Sequence, residues 1–150
     1  MTPSEPPSVQ SASDADARRA VEHLYSLDVA AQQVGMQVAE AGIGRAVVSM
    51  RVLPSMANGH GLCHGGYIFA LADTAFAYAC NAAGGSHVAA FAAIDFLRTA
   101  RTGDLLRAEA TEAWQSGRNG LTDVRVLDAA GQLVALYRGR SRRIDHRSGP

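Results

Sequence analysis

The sequence predicts an α+β domain: a curved antiparallel sheet of five to six strands wrapped around one long central helix, with a short helix at the N-terminal end. Three observations predict it. The run over 65–83 is apolar on nearly every side of a helix, the mark of a buried helix. Alternating segments lie on both sides of it, separated by short turn-like stretches, which favours antiparallel pairing. The chain has 150 residues, 47% of them hydrophobic, enough for one domain with a real core.

Residues 1–12 are rich in Ser, Pro and Ala and read as a disordered tail ahead of a domain over 13–147. A helix starts near Ser13, with Asp16 at capping-box spacing. Ala17, Ala20, Val21, Leu24 and Leu27 recur on one face of it. Strands are expected over 34–40 and 45–53 around the turn 41–44. In the second, Val48, Met50 and Val52 share a face. After the central helix come strands over 88–98, 105–115, 120–127 and 133–144. Their separators, 101–104, 116–119 and 128–131, read as hairpin connections.

Composition excludes several chemistries. All fourteen basic residues are Arg, and no Lys occurs, so no Schiff-base, pyridoxal-phosphate or Walker-type lysine is available. The formal net charge of zero gives no general pull toward nucleic acid or membrane. Two cysteines, Cys63 and Cys80, make no disulfide framework, and a reduced, cytoplasmic chain is the simple expectation. Neither a signal peptide nor a membrane span is expected.

Two anomalies point to a site. The Gly-rich stretch from Asn58 to Gly66 leads into the central helix. The first N–H groups of a helix lack intrahelical acceptors and sit at the positive end of its dipole. Glycines there let a carbonyl oxygen approach closely; glycines needed only for turning are the plain alternative. The second anomaly is Asp73, the one acid between Gly65 and Ala83. A carboxylate in an apolar helix is costly unless it is paired or functional. The two groups lie eight residues apart, ~12 Å along a helix axis. One carbonyl reaches both only if two antiparallel helices supply them, so shared chemistry implies a dimer with two composite sites.

Other constellations rank lower. His60, Cys63 and His64 lack the further ligands and the rigidity of a zinc site. Cys63 and His64 are sequence neighbours, which does not make a nucleophile pair. His87 and His146 read as surface residues, and Trp114 and Tyr137 as packing residues. Tyr67, Phe69, Phe76 and Tyr78 suit either an aromatic pocket or the core.

His64-Gly65-Gly66, followed by Leu71-Ala72-Asp73-Thr74-Ala75, resembles the signature of the hotdog-fold thioesterases. The stretch 72–81, Phe96-Leu97-Arg98 with Gly103-Asp104-Leu105, and the ending Tyr137-Arg138-Gly139-Arg140-Ser141 are similar to the PaaI-type phenylacetyl-CoA thioesterases. The resemblance covers roughly residues 15–145. It implies acyl-CoA thioester hydrolysis, dimers pairing into tetramers, and no metal or organic cofactor. By position, Asp73 resembles the catalytic carboxylate and Gly65 the amide that polarises the thioester carbonyl. Asn58 resembles the residue that positions water or substrate, His64 the motif histidine, and Thr74 a hydroxyl near the acid. In a related branch a Glu stands at the acid position with a Thr one turn later; here those positions are Asp73 and Ala77.

Coenzyme A carries several phosphate charges, and ten of the fourteen arginines lie from Arg98 onward. Gly66, Arg98, Arg140, Arg142 and Arg143 are therefore candidate substrate or CoA contacts, against solvated strand-end arginines as the alternative. The acyl group is expected to be aryl-acetyl by resemblance, with medium-chain groups as the alternative. A non-catalytic acyl-CoA-binding regulator would lack the carboxylate and usually carry a DNA-binding module. A dehydratase would need Asp and His at other spacings.

Overall fold

The computed structural model describes residues 12–145. The tail expected over 1–12, all but its last residue, lies outside the described residues, as do His146 and the end of the 13–147 domain. The described chain folds as α1 (Asp14–Leu27), α2 (Val29–Gln33), β1 (Gln37–Gly42), β2 (Arg45–Arg51), a 3₁₀ turn (Pro54–Met56), α3 (Gly65–Asn81), β3 (Ser86–Phe96), β4 (Leu105–Ser116), β5 (Asn119–Leu127) and β6 (Leu133–Ile144). The expected α+β class, with one antiparallel sheet and a central helix, is the observed one.

Local chemistry explains where the first elements begin. Ser13 Oγ accepts the Asp16 N–H at 3.1 Å, and the Asp16 carboxylate accepts the Ser13 N–H at 3.0 Å, a reciprocal capping box. Ala17 and Val21 bury the inner face of α1. Leu27, assigned to that face from its spacing, is instead 67% exposed, because α1 stops there and Asp28 begins α2. The Asp28 carboxylate caps α2 through the Ala31 N–H (3.0 Å) and accepts the Tyr78 hydroxyl (2.8 Å), tying α2 to α3. The strand expected from residue 34 begins only at Gln37. Val34 caps α2, and Gly35 takes φ +73°, a left-handed stop that glycine permits.

The sheet runs β1-β2-β4-β5-β6-β3 with every neighbour antiparallel. Segment 101–104 is therefore not the hairpin turn expected from its composition. β3 crosses over to pair with β6, and β4 pairs with β2 and β5. Segment 100–104 instead bonds the end of β2 and the loop before α3: Cys63 N–H to Ala100 O, Val52 N–H to Asp104 O, and Gly103 N–H to Val52 O, each 2.8 Å.

One sheet face grips α3. Val48 and Met50 of β2, Leu106 and Ala108 of β4, Val124 and Val126 of β5, and Tyr137 of β6 are at most 2% exposed; Val52, just past β2, is buried with them. They enclose Leu71, Ala72, Ala75, Phe76 and Ala79 of α3. Gly139 is required by this packing: a Cβ there would lie 2.6 Å from the Phe76 ring. Trp114, expected to pack, is 49% exposed. A register shift between Glu112 and Trp114 precedes its pairing with Leu121, which leaves it on the far face of the sheet.

Among the described residues, two apolar surfaces lack cover. β3 forms a sheet edge with Val88 and Phe91 exposed. On α3, Phe69, Ala70, Asp73, Thr74 and Ala77 form a half-buried stripe away from the sheet centre.

Candidate active site

The loop before α3 is held by its own backbone and by Asn58. The Asn58 carboxamide oxygen accepts the N–H groups of His60 (2.9 Å) and Leu62 (3.1 Å), while Asn58 N–H donates to Leu62 O at 2.7 Å. Gly61, at φ +72°, closes the turn by donating to Asn58 O. The Asn58 side-chain nitrogen, Nδ2, makes no hydrogen bond among the described residues.

His64 is the N-cap of α3. Its N–H donates to Met56 O at 2.8 Å, and its Nδ1 accepts the Gly66 N–H at 2.9 Å. The next amide back, at Gly65, has no acceptor among the described residues. It is the first N–H of a 17-residue helix, where the positive end of the dipole adds to its pull on an anionic oxygen. A Cβ at Gly65 would stand 3.0 Å from the ring of Phe96, a tight contact with an exposed side chain.

Two cavities flank this helix start. One, about 360 Å³, is lined by Asn58, Cys63, Gly65, Phe96 and Arg98. The other, about 620 Å³ and largely apolar, is lined from α2 and its end by Ala30, Val34 and Met36 and from α3 by Tyr67, Ala70 and Thr74, with His64 and Gly66 between. The expected site residues Asn58, Gly65 and Arg98 thus meet at one cavity, and His64, Gly66 and Thr74 at the other.

Asp73 lines neither of these cavities. Its Oδ1 accepts the Tyr137 hydroxyl at 2.5 Å. Burial and the adjacent Asp73 carboxylate both push the Tyr137 phenol well above its ordinary range, so the phenol stays the donor. Tyr137, read from the sequence as a packing residue, therefore also carries this bond. The available clue was that an Asp in an apolar helix needs a donor and that β6 places a tyrosine facing α3. Of the four helix aromatics, Tyr67 lines the large cavity, Phe69 and Phe76 pack on Tyr137, and Tyr78 bonds Asp28.

The remaining candidates lie on the sheet. Strand alternation places Arg140 and Arg142 on one face of β6 and Arg143 on the other, beside His87 in register. His87, expected at the surface, is half-buried, and its Nδ1 is enclosed. Among the described residues no three His, Cys, Asp or Glu side chains group as metal ligands. Burial raises both thiols, Cys80 to about 12 and Cys63 above its usual value with help from Asp104, so neither is poised as a thiolate nucleophile.

An open amide at the start of α3, lining a cavity, is suited to hold a carbonyl oxygen. Residues 60–135 match the family described as the Thioesterase superfamily. The chain is 45% identical over 121 residues to the acyl-coenzyme A thioesterase PaaI of Escherichia coli K12, covering 81% of this chain and 86% of that protein. It is 32% identical over 127 residues to a putative esterase of Archaeoglobus fulgidus, covering 85% of this chain and 82% of that one. The solved structure of the E. coli PaaI protein from the phenylacetic acid degradation operon superposes with TM-score 0.87 at 42% identity, over 88% of this chain and 96% of that one. By sequence and by fold, this chain belongs to the thioesterase superfamily.

Proposed function

We propose that this protein is an acyl-CoA thioesterase that hydrolyses an aryl-acetyl-CoA to the free acid and coenzyme A in composite sites of a homodimer. The observation that carries the reading is the open Gly65 N–H at the start of α3, eight residues before Asp73. The Gly65 amide of one protomer holds the thioester oxygen as it becomes an oxyanion. Asp73 of the other acts on the carbonyl carbon by one of two routes. As general base it takes a proton from water as the water adds, the C–S bond breaks, and the proton passes to the CoA sulfur. As nucleophile it displaces the thiolate to give an anhydride that water then hydrolyses. Both routes balance without a metal or organic cofactor.

The two cavities support a division of the substrate. The apolar one, walled by Val34, Met36, Tyr67 and Ala70, suits the acyl group. The one bearing Asn58 and Arg98 suits the CoA arm and a positioned water, with Thr74 and His64 supporting the reacting centre. Arg140, Arg142 and Arg143 are the candidates for the CoA phosphates. The uncovered β3 edge and the half-buried α3 stripe support a dimer, since a long apolar edge invites pairing. Pairing of dimers into a tetramer follows the family resemblance. Two free cysteines and no described helix able to cross a membrane are consistent with a cytoplasmic enzyme.

The test is thiol release from a panel of acyl-CoAs, aryl-acetyl and medium-chain, by the wild type and by Asp73→Asn. Turnover highest on the aryl-acetyl member and lost in the variant is expected. No turnover on any member would overturn the reading in favour of a non-catalytic acyl-CoA-binding protein.

A further inference from the structure

We propose that Tyr137 is a positioning residue for Asp73, holding one carboxylate oxygen so that the other is presented to the thioester. The inference rests on the thioesterase reading above. Its basis is geometric. The phenol meets Asp73 Oδ1 at 2.5 Å, and no other hydrogen bond to the Asp73 side chain forms among the described residues. Oδ1 is occupied and Oδ2 is left open.

The phenol is itself fixed. Tyr137 is 2% exposed. Its ring meets Phe69 edge-on at 5.5 Å and Phe76 at 5.8 Å. Phe69 and Phe76 stand four residues before and three after Asp73 on α3, so all three share one helix stripe. The tyrosine ring thus sits in a notch of the helix whose centre is the carboxylate. In β6, Tyr137 is further held between Val124 of β5 and Ile94 of β3. A strand in the middle of three paired strands has little freedom to shift.

A carboxylate on a two-torsion side chain otherwise samples several rotamers, and only some aim an oxygen at the thioester carbon. Anchoring one oxygen on a rigid phenol removes that freedom before substrate binds. The bond needs no rearrangement during the reaction, because the phenol remains protonated throughout the neutral range.

The experiment is a double-mutant cycle on the full-length protein with Tyr137→Phe and Asp73→Asn, read as kcat and KM per folded oligomer. Phe keeps the ring and its packing, and melting temperature and light scattering establish that the oligomer persists. Tyr137→Phe is expected to lower kcat by about ten- to a hundredfold, with KM changed less than about twofold. In the Asp73→Asn background the same change should cost nothing further, because there is no carboxylate left to position. A normal kcat in Tyr137→Phe would overturn the proposal. So would an equal fold-loss in both backgrounds, which is what a merely structural tyrosine gives. Full turnover by Asp73→Asn alone would instead remove the catalytic role of Asp73, and the proposal with it.

Discussion

His64 Nδ1 accepts the Gly66 N–H at 2.9 Å, and the amide one residue earlier, at Gly65, has no acceptor among the described residues. The cap is thus displaced by one position from the donor that a substrate oxygen would need. A side chain that capped both amides would close the site.

His64→Ala should therefore weaken the protein in two separable ways. Loss of an N-cap costs about 1 kcal/mol, seen as a lower urea midpoint. The bond to Gly66 also fixes the turn that carries the Gly65 amide, so kcat should fall by about tenfold. His64→Asn restores a capping oxygen and should recover the midpoint. Steady-state kinetics beside urea titration checks both, and an unchanged kcat in His64→Ala would limit the histidine to structure.

Gly139→Ala should destabilise the fold. The new methyl would stand 2.6 Å from the Phe76 ring across a buried strand. Overpacking of this kind typically costs about 1–3 kcal/mol. Phe76→Leu makes room, so the double variant should be more stable than Gly139→Ala alone. Melting temperatures of the four proteins test this; strict additivity would mean the clash relaxes elsewhere.

The central helix and the donor–acid spacing were legible because they are local. Eight residues between Gly65 and Asp73, and an apolar run broken by one acid, are visible in a line of text. The strands of β2, β4, β5 and β6 were legible from alternation. What was not legible depends on contacts between distant residues. β3 looks like a hairpin partner of β4, yet its edge pairs with β6, because turn composition at 101–104 does not say which sheet edge a strand reaches. α2 has five residues, too few to show a period, although Asp28 and Gly35 mark its ends. Tyr137 looks like any core aromatic until the helix lies across β6 and its hydroxyl meets Asp73.

Stability should respond to pH through Glu112. Burial raises its carboxyl above the usual value. A folded-state pKa above the unfolded one adds stability below the unfolded pKa, which is lost as pH rises through the folded one. At neutral pH the charged carboxylate therefore works against the fold. Glu112→Gln should raise the melting temperature at pH 8 and change it little near pH 4. Equal shifts at both pH values would assign the effect to packing.

Composite sites make a prediction about mixtures of inactive proteins. Gly65 is the first residue of α3, the position where proline is tolerated because its N–H is unused by the helix. His64 before it has φ −62° and ψ 132°, a conformation that a following proline accepts. Gly65→Pro should thus delete the oxyanion donor while keeping the helix. The exposed Phe96 ring, 3.0 Å from the added Cβ, can move aside. Alone, Gly65→Pro and Asp73→Asn homodimers should each lose most of their turnover, about a hundredfold or more. In a heterodimer, one site pairs the two defects and the other pairs a native Gly65 with a native Asp73. Unfolding and refolding the two variants together at equal amounts should produce half heterodimers, each with one intact site in two. Activity should return to about a quarter of wild type for the same total protein. Sites built within a single chain would give no recovery at any mixing ratio. The refolded mixture, compared with the same variants refolded separately and then combined, distinguishes subunit exchange from simple addition of residual rates.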